Sequence, residues 1–459
     1  KCMEFVADLH LHSKYSRAVS QQMILPEMAR WAVKKGLNIL TVSDWTHPLW
    51  FREIRNQLEE AGEGVYKLRI KDKGLRINDV MFVLTTEIAS IYKEKDKLRR
   101  IHNLVFAPNF EVAEKINKEL VKRGCNIHSD GRPIVGISSK NLLELILGID
   151  KQCMLIPCHV WTPHFGIYGS ASGYDSLSDA FEELDKHIYG IETGLSSDPE
   201  MNWQIEELKT RSILSFSDAH SLPKMGREAT VFVENKNGPP SGGSNDKVTY
   251  EDISKAIKRE KDAKLRVGYT IEFYPEEGKY HFSGHRNCKV VFGPEDIKTK
   301  GNICPVCKRG LTEGVLYRLQ QLSKEDLLNR VEQKYNNSGL RWYTDKMKIH
   351  PPFVKLVPLN EVLAESIESP VLSEKVKVKF DQMCEEFGSE LKILLKTPLS
   401  DIASKFGEKI AEGVAKVRKG DILIDPGYDG EYGKVKIWQN DGDIVEEKLE
   451  TQNQLGLKF

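Results

Sequence analysis

Histidine, aspartate and glutamate, the side chains that bind divalent metals, recur at the ends of short apolar runs through the first half of the chain. MEFVADLHLH places His10 and His12 behind Asp8. In a strand, residues two apart share a face, so both imidazoles point to one side. LNILTVSD closes on Asp44, with His47 following, and DVMFVLTTEI carries Glu87 near its end. IHNLVF opens a run with His102, QCMLIPCHV presents His159, IYGIETG presents Glu192, and SILSFSDAH ends in Asp218 and His220. Singly, each has an ordinary explanation. A His-x-His pair is as often hydrogen-bonded or on the surface as metal-bound, an Asp after a strand caps the next helix, and Glu87 or Glu192 can face solvent. Together they do not, because parallel strands gather their C-terminal ends at one mouth, where massed carboxylates and imidazoles are poorly solvated without a cation. Clustered cations there would lower the pKa of a bound water to give hydroxide and stabilise negative charge that develops on a substrate. Histidine mixed with carboxylate suits zinc, manganese or iron better than magnesium.

A second constellation lies further on. GHRNC and CPVC supply His285, Cys288, Cys304 and Cys307, two knuckles of x2 spacing that read as a four-ligand structural zinc ribbon. His281 is an alternative to His285, and unpaired buried thiols are the plain alternative to a zinc site. Cys2, Cys125, Cys153, Cys158 and Cys384 are scattered, which is no disulfide framework and fits a reducing, cytoplasmic compartment. Lys289, Lys308, Arg309 and Arg318 put positive charge beside the knuckles.

The elements that must position these groups alternate as strand, helix, strand up to about residue 235, the rhythm of a (β/α) barrel or an open α/β sheet. PEMARWAVKKG, with Pro26 early and Gly36 at its end, reads as a crossover helix. NKNGPPSGGSNDK, 235–247, is a flexible exposed loop by composition. After it, TYEDISKAIKREK is expected as a helix and GYTIEFYP as a strand. KEDLLNRVEQKY and DIASKFGEKIAEGVAKVRKG are each expected as helices, and DILIDPGYDGEYGKVKIW as a hairpin. At 459 residues the chain divides into roughly two or three domains. The expected bounds are a barrel over 1–274, a zinc-ribbon module over 275–317, and a mixed, mainly helical C-terminal domain that binds DNA over 318–459.

Lys plus Arg and Asp plus Glu balance at 67 each, so any nucleic-acid contact must be local. KEKDKLRR and RWYTDKMKIH join positive charge to aromatics, although each alone reads as a solvated face. No stretch approaches the roughly 20 apolar residues of a membrane span, and no leader pattern opens the chain. A membrane is therefore not expected among its partners.

His10-x-His12, Asp44, Glu87, His102, His159 and the Asp218-x-His220 pair resemble, in that order, the motifs of the polymerase and histidinol phosphatase (PHP) domain family. The resemblance implies a distorted (β/α)7 barrel holding two or three divalent metals (Zn, Mn, Fe or Mg) for phosphoester hydrolysis. It implies that His10, His12, Glu87 and Asp218 surround one metal, that Glu87 bridges to a second held by His102 and His220, and that a third uses His159. Asp218, Glu87 and Asp44 carry the catalytic roles, with Asp44 and His47 among the ligands. Two positions depart from the family: Trp45 stands where a His is common, and Ala18 where many members have another.

The succession of barrel, YPEEGKYHFSGHRNC, CPVC and a tail in PGYDGEYGKVKI further resembles the endonuclease Q family of DNA repair enzymes. That likeness implies cleavage 5′ to deaminated bases (deoxyinosine, deoxyuridine, deoxyxanthosine) or abasic sites, leaving a 3′-hydroxyl and a 5′-phosphate. DNA carrying such lesions is then the partner, with a sliding clamp as a further candidate. Reading a base edge requires the nucleotide to be flipped into a pocket. Trp161, Phe165, Tyr168 and Tyr174 are the expected walls, with Gly166, Gly169 and Gly173 allowing close approach; Ser196, Ser197 and Asn202 are the expected donors. Lys14, Arg17 and Arg227 are the expected phosphate contacts. A small-molecule phosphatase of the histidinol-phosphatase type is the alternative, and a non-catalytic binding module a third reading. No Walker-type phosphate loop is present.

Overall fold

The computed structural model describes residues 4–69, 76–238, 247–324 and 330–438. It is a mixed α/β structure around a large central sheet of 13 strands. The first strand, β1 (Glu4–Asp8), lies parallel to β2 (Ile39–Thr41), and β2 parallel to β3 (Met81–Glu94). The connection from β1 to β2 is the helix Leu25–Lys35, which ends as expected at Gly36, whose φ of 90° only glycine takes readily.

The strict alternation then breaks. β4 (Lys97–Ala107) returns antiparallel on β3 as a long hairpin, and β5 (Met154–Pro157) pairs antiparallel with β4. Glu87 and His102, expected near strand ends, therefore sit mid-strand. KEKDKLRR is the hairpin tip, turned at Lys95 and Asp96, whose φ angles are 44° and 65°. β6 (Gly190–Glu192) and β7 (Ser212–Leu214) form a separate parallel pair. Backbone contacts tie this pair to the main sheet: Val160 N–H donates to Glu192 O (3.2 Å) and His12 N–H to Ala219 O (3.2 Å). Ser217 N–H also donates to Asp8 Oδ1 (3.0 Å). The ends of β1, β5, β6 and β7 thus come to one place.

On the other flank, β1 pairs antiparallel with β8 (Ala229–Glu234), and β8 with β9 (Leu265–Glu272). The expected helix after the loop is Tyr250–Ile257, capped reciprocally by Thr249 and Asp252; residues 239–246 of the loop lie outside the described residues. The sheet runs on into the C-terminal part, where β10 (Val331–Tyr335), β11 (Arg341–Asp345) and β12 (Phe353–Lys355) add to it, β12 lying parallel to β9. VEQKY, expected inside a helix, is β10, because five cross-strand partners from Val331↔Asp345 to Tyr335↔Arg341 give it a ladder. The long C-terminal helix is two, Leu399–Phe406 and Glu408–Lys419, broken at Gly407 with φ 97°. The expected hairpin forms from Leu423–Asp425 and Lys434–Lys436.

Candidate metal centre

His10 and His12 lie just past β1 with ring centroids 5.5 Å apart, both fully buried. In the β3–β4 ladder Glu87 faces Leu104 and Ala89 faces His102. Glu87 and His102 are therefore diagonal neighbours on one face, within reach of each other. His159 follows β5 and Asp218 follows β7, with φ angles of 31° and 46°, and Asp44 after β2 has φ 39°. Gly194 stands against His159, leaving 2.3 Å between an added Cβ and the His159 Cβ, so only glycine fits there.

These residues converge on the Glu87 carboxylate. Its Oε1 lies 2.5 Å from His102 Nδ1 and 3.1 Å from His159 Nε2; its Oε2 lies 3.2 Å from His12 Nε2, 3.7 Å from His10 Nε2 and 3.1 Å from Arg132 Nη1. Asp218 Oδ1 is 3.0 Å from His12 Nε2 and 3.8 Å from His10 Nε2. His220 turns Nδ1 to the Asp218 carbonyl (2.9 Å), and its ring lies 4.7 Å from that of His12. Three overlapping groups able to hold an ion result, His10–His12–Asp218, His10–Glu87–Cys158 and Glu87–His102–His159.

His10 Nε2, His12 Nε2 and Asp218 Oδ1 are all buried without a hydrogen-bond partner among the described residues. Three such atoms facing one point are costly unless a cation sits there. The opposite ring nitrogens are engaged. Glu192 accepts from His10 Nδ1 at 2.8 Å, and Asp44 from His12 Nδ1 at 3.2 Å, which holds both Nε2 atoms toward the centre. The electrostatics agree with a cation. Although burial works against it, the neighbouring carboxylates hold His10 and His12 well above the ordinary imidazole range. Glu87 is held well below the usual carboxylate range despite its burial, by His102 and Arg132. Burial, aided by His159 and Arg132, pushes His102 down to about 4 against the pull of Glu87. The donor set therefore fits divalent metals.

Two expected ligands are placed elsewhere. Asp44 spends its carboxylate on Ser13 N–H (2.6 Å), Ser13 Oγ (2.7 Å), Ser16 Oγ (2.9 Å) and His12, so it positions His12 instead of facing the ion site. His47 stacks on Tyr15 at 4.4 Å and turns Nε2 to the His128 carbonyl (3.1 Å). Trp45 is fully buried in the apolar core, which accounts for the missing histidine there. Arg132, in contrast, had no spacing signal in the sequence; it reaches Glu87 from the loop that follows Asp130.

A cavity of about 860 Å³ opens above the centre, lined by His102, His159, Asp218 and His220 and rimmed by Arg17, Arg100, Arg132, Lys224, Arg227 and Lys279. Of the expected phosphate contacts, Arg17 lines it beside Asp130, and Arg227 lines it while donating to Ser217 O (2.9 Å). Lys14 does not; it pairs with Glu53 at 3.0 Å. Of the expected base-pocket residues only Phe165, whose ring lies 4.6 Å from that of His102, and Ser196 line the cavity. Trp161, Tyr168, Tyr174, Ser197 and Asn202 belong to the interior. Their polar atoms are used within the protein: Trp161 Nε1 donates to Asn202 Oδ1 (2.9 Å), Tyr168 to Glu207 (2.8 Å), Tyr174 to Glu94 (2.8 Å) and Ser197 to Thr193 O (2.9 Å). The glycines of that loop admit its own backbone, with Val160 O 2.3 Å from a Cβ built on Gly166. Ala18, at φ 60°, lines the same cavity with a methyl group.

His285, Cys288, Cys304 and Cys307 form a separate group able to hold an ion. The local core of this module is small, built on Ile297, Cys304 and Leu311, and a bound metal would supply the stability such a core lacks. Arg318 joins the module to the loop after His159, donating to Tyr168 O and Tyr174 O, each at 3.1 Å.

Residues 358–421 match the family model described as the MJ0043 C-terminal domain. The uncharacterized protein MJ0043 of Methanocaldococcus jannaschii is 31% identical over 279 residues, which are 60% of this chain and 31% of that protein. The match thus spans about a third of that relative's length. Among solved structures, the lesion-specific endonuclease PfuEndoQ from Pyrococcus furiosus superposes with a TM-score of 0.76 at 29% identity, covering 100% of both chains. An endonuclease Q bound to a 27-mer duplex with an abasic lesion at the active site gives 0.78 at 29% identity, covering 95% of this chain and 97% of that one. Over its whole length the chain has the fold of these enzymes.

Proposed function

We propose that the chain is a metal-dependent hydrolase, a lesion-specific DNA endonuclease of the endonuclease Q kind. The observation that carries this reading is the convergence of three buried ligand atoms without a hydrogen bond of good geometry, on His10, His12 and Asp218, the last of which lines a cation-rimmed cavity. The full-length likeness to endonuclease Q supports it. On this reading 1–274 is the distorted (β/α)7 barrel, 275–317 the zinc-ribbon module, and 318–459 the mainly helical domain that binds DNA. The barrel centre holds two or three divalent ions, and His285, Cys288, Cys304 and Cys307 hold a structural zinc. The ligand types favour zinc, manganese or iron over magnesium.

Bound metal supplies an activated water and neutralises charge on the phosphate. The chain's own residues do the rest. Glu192 and Asp44 fix the tautomers and orientations of His10 and His12. Glu87 ties the ligand groups together, and Arg132 beside it brings a fixed positive charge to the cavity wall. Arg17, Arg227 and Lys224 stand where the strand's phosphates would lie. Phe165 and Ser196 are the remaining candidates for contact with a flipped nucleotide. Cleavage is proposed 5′ to an abasic site or a deaminated base, leaving a 3′-hydroxyl and a 5′-phosphate. No feature of the described residues supports a sliding clamp as partner.

The test is incubation of end-labelled duplexes, each with one abasic site or deoxyinosine, with manganese, zinc or magnesium. A single product ending immediately 5′ to the lesion is expected, and Asp218→Asn abolishes it. Intact duplex under every metal, or release of phosphate from small monoesters by wild type alone, overturns the reading.

A further inference from the structure

A second cavity, of about 900 Å³, lies between the start of β7, the turn after the helix Tyr250–Ile257, the start of β9 and the β10–β11 hairpin. It shares no lining residue with the metal-site cavity. β7 separates the two: Ser212, its first residue, lines this cavity, and Asp218 beyond its other end belongs to the metal centre. In a chain whose charges balance, its lining is one-sided. Seven Lys and Arg side chains face three carboxylates. Asp345 is committed to the buried Arg330 (2.6 Å), Glu332 offsets Lys334 (2.8 Å) and Arg211 pairs with Asp185 (3.3 Å), so the surplus rests on the cations that follow.

Arg259 is the fixed point. Among the described residues its guanidinium donates to backbone carbonyls alone, to Lys209 O (2.9 Å), Arg211 O (3.4 Å) and Ile349 O (2.7 Å), which hold it in place without a carboxylate partner. Lys261, Arg266 and Lys348 likewise have no carboxylate within ion-pair distance among the described residues, and all three are exposed. Lys346 and Lys348 come from RWYTDKMKIH, the cationic stretch that the metal centre does not use. Between the cations the wall is apolar, with Ile213, Val267, Ile349 and Pro351. The volume is far larger than a lone phosphate and falls within the few hundred to about 1,000 Å³ of small-molecule sites.

We propose that this cavity is a second binding site, separate from the metal centre, for a nucleotide phosphate. The cations take the phosphate oxygens as charge-assisted hydrogen bonds, and the apolar wall takes the base or sugar. The same chemistry can arrive as a free nucleotide or as one unit of a nucleic-acid strand.

The full chain is titrated calorimetrically in EDTA, so that the metal centre takes no part, with ATP, with a lesion-free pentathymidylate and with inorganic phosphate. The double variant Arg266→Glu/Lys348→Glu, changed only at exposed positions, is compared with wild type. Saturable binding of ATP or pentathymidylate is expected, weakened at least about tenfold in the variant, the loss of one or two charge-assisted contacts, and weakened by salt. Tighter ATP supports a free nucleotide, and tighter pentathymidylate a strand. Equal affinity in the variant, no saturation by either probe, or phosphate binding as tightly as both overturns the proposal. A lesion-cleavage assay run in parallel is expected to be unchanged by the double variant, so failure of the site and failure of the endonuclease reading are told apart.

Discussion

Replacing Glu192 by Gln tests whether the centre is set from behind its ligands. Both Glu192 oxygens lie on His10 Nδ1, at 2.8 and 3.1 Å, in a site where both side chains are fully buried. Glutamine keeps the volume and one acceptor but removes the charge. A charge-assisted hydrogen bond is worth about 1.5–3 kcal/mol and a neutral one about 0.5–1.5 kcal/mol, so the change costs roughly 1–2 kcal/mol of His10 orientation and basicity. That is about a tenfold loss of metal affinity, at the lower edge of the 10- to 100-fold typical of outer-shell changes.

The assay is cleavage of an abasic duplex as a function of manganese concentration. In Glu192→Gln the half-saturating concentration is expected to rise about tenfold, while the rate at saturating metal stays within a few-fold of wild type. An unchanged half-saturation would show that Glu192 does not orient His10. A rate that stays orders of magnitude low at saturating metal would place Glu192 among the groups touching the reacting atoms, contrary to its position behind the ring.

Four further outcomes are expected. Cys304→Ser removes one zinc per chain by elemental analysis and lowers the melting temperature, with the barrel metals retained; an unchanged zinc content refutes the ribbon. Trp161→Phe leaves Asn202 Oδ1 without its donor and costs roughly 1–3 kcal/mol of stability by denaturant titration, while the ratio of rates on different lesions stays constant; a changed ratio would return Trp161 to the base pocket. Arg132→Ala lowers the cleavage rate about 100-fold, the scale of removing one electrostatic donor, with metal content preserved. Burial, opposed by the hydrogen bond from Ser215 and aided by Asp198, pushes Glu272 up to about 8. The folded state therefore holds a proton that the unfolded chain releases near pH 4.5. Stability falls as pH rises from about 4.5 to 8, and Glu272→Gln flattens that slope in denaturant titrations; an identical slope refutes the assignment.

The ligand set was legible because metal chemistry needs few residue types and strands fix their direction. His10, His12, Glu87, His102, His159 and Asp218 come together in groups able to hold an ion, whereas His220, expected beside His102, turns to the Asp218 carbonyl and His159 takes that place. Two mid-strand positions, Glu87 and His102, were harder to place, since nothing in LTTEI or IHNLVF tells that the two runs extend into one long hairpin. The roles of Asp44 and Glu192 were not legible, because a carboxylate after a strand looks the same whether it faces an ion or the back of an imidazole. Aromatic count on a loop misled for a related reason. Trp161, Tyr168 and Tyr174 are apolar enough for a base pocket and equally so for a core, and the partners that decide it, Asn202, Glu207 and Glu94, are 41, 39 and 80 residues away. Arg132 left no periodic signal at all.

Backbone strain shows why these residues lie where they do. Asp44, His159 and Asp218 each follow a strand with φ of 39°, 31° and 46°, a left-handed region that costs a non-glycine residue about 1–3 kcal/mol. Continued extension would carry each side chain away along the strand; the left-handed turn swings it back across the strand ends. Such a conformation persists only if its surroundings over-determine it. For Asp44 that is a set of four hydrogen bonds from Ser13, Ser16 and His12. For His159 it is the Glu87 contact together with the close approach of Gly194. For Asp218 it is the pair of imidazoles at Oδ1, His12 Nε2 at 3.0 Å and His10 Nε2 at 3.8 Å. The strained turns at His159 and Asp218 are thus held by side chains of the ion site itself, so a substitution that removes His12 is expected to loosen the Asp218 turn together with the ligand group.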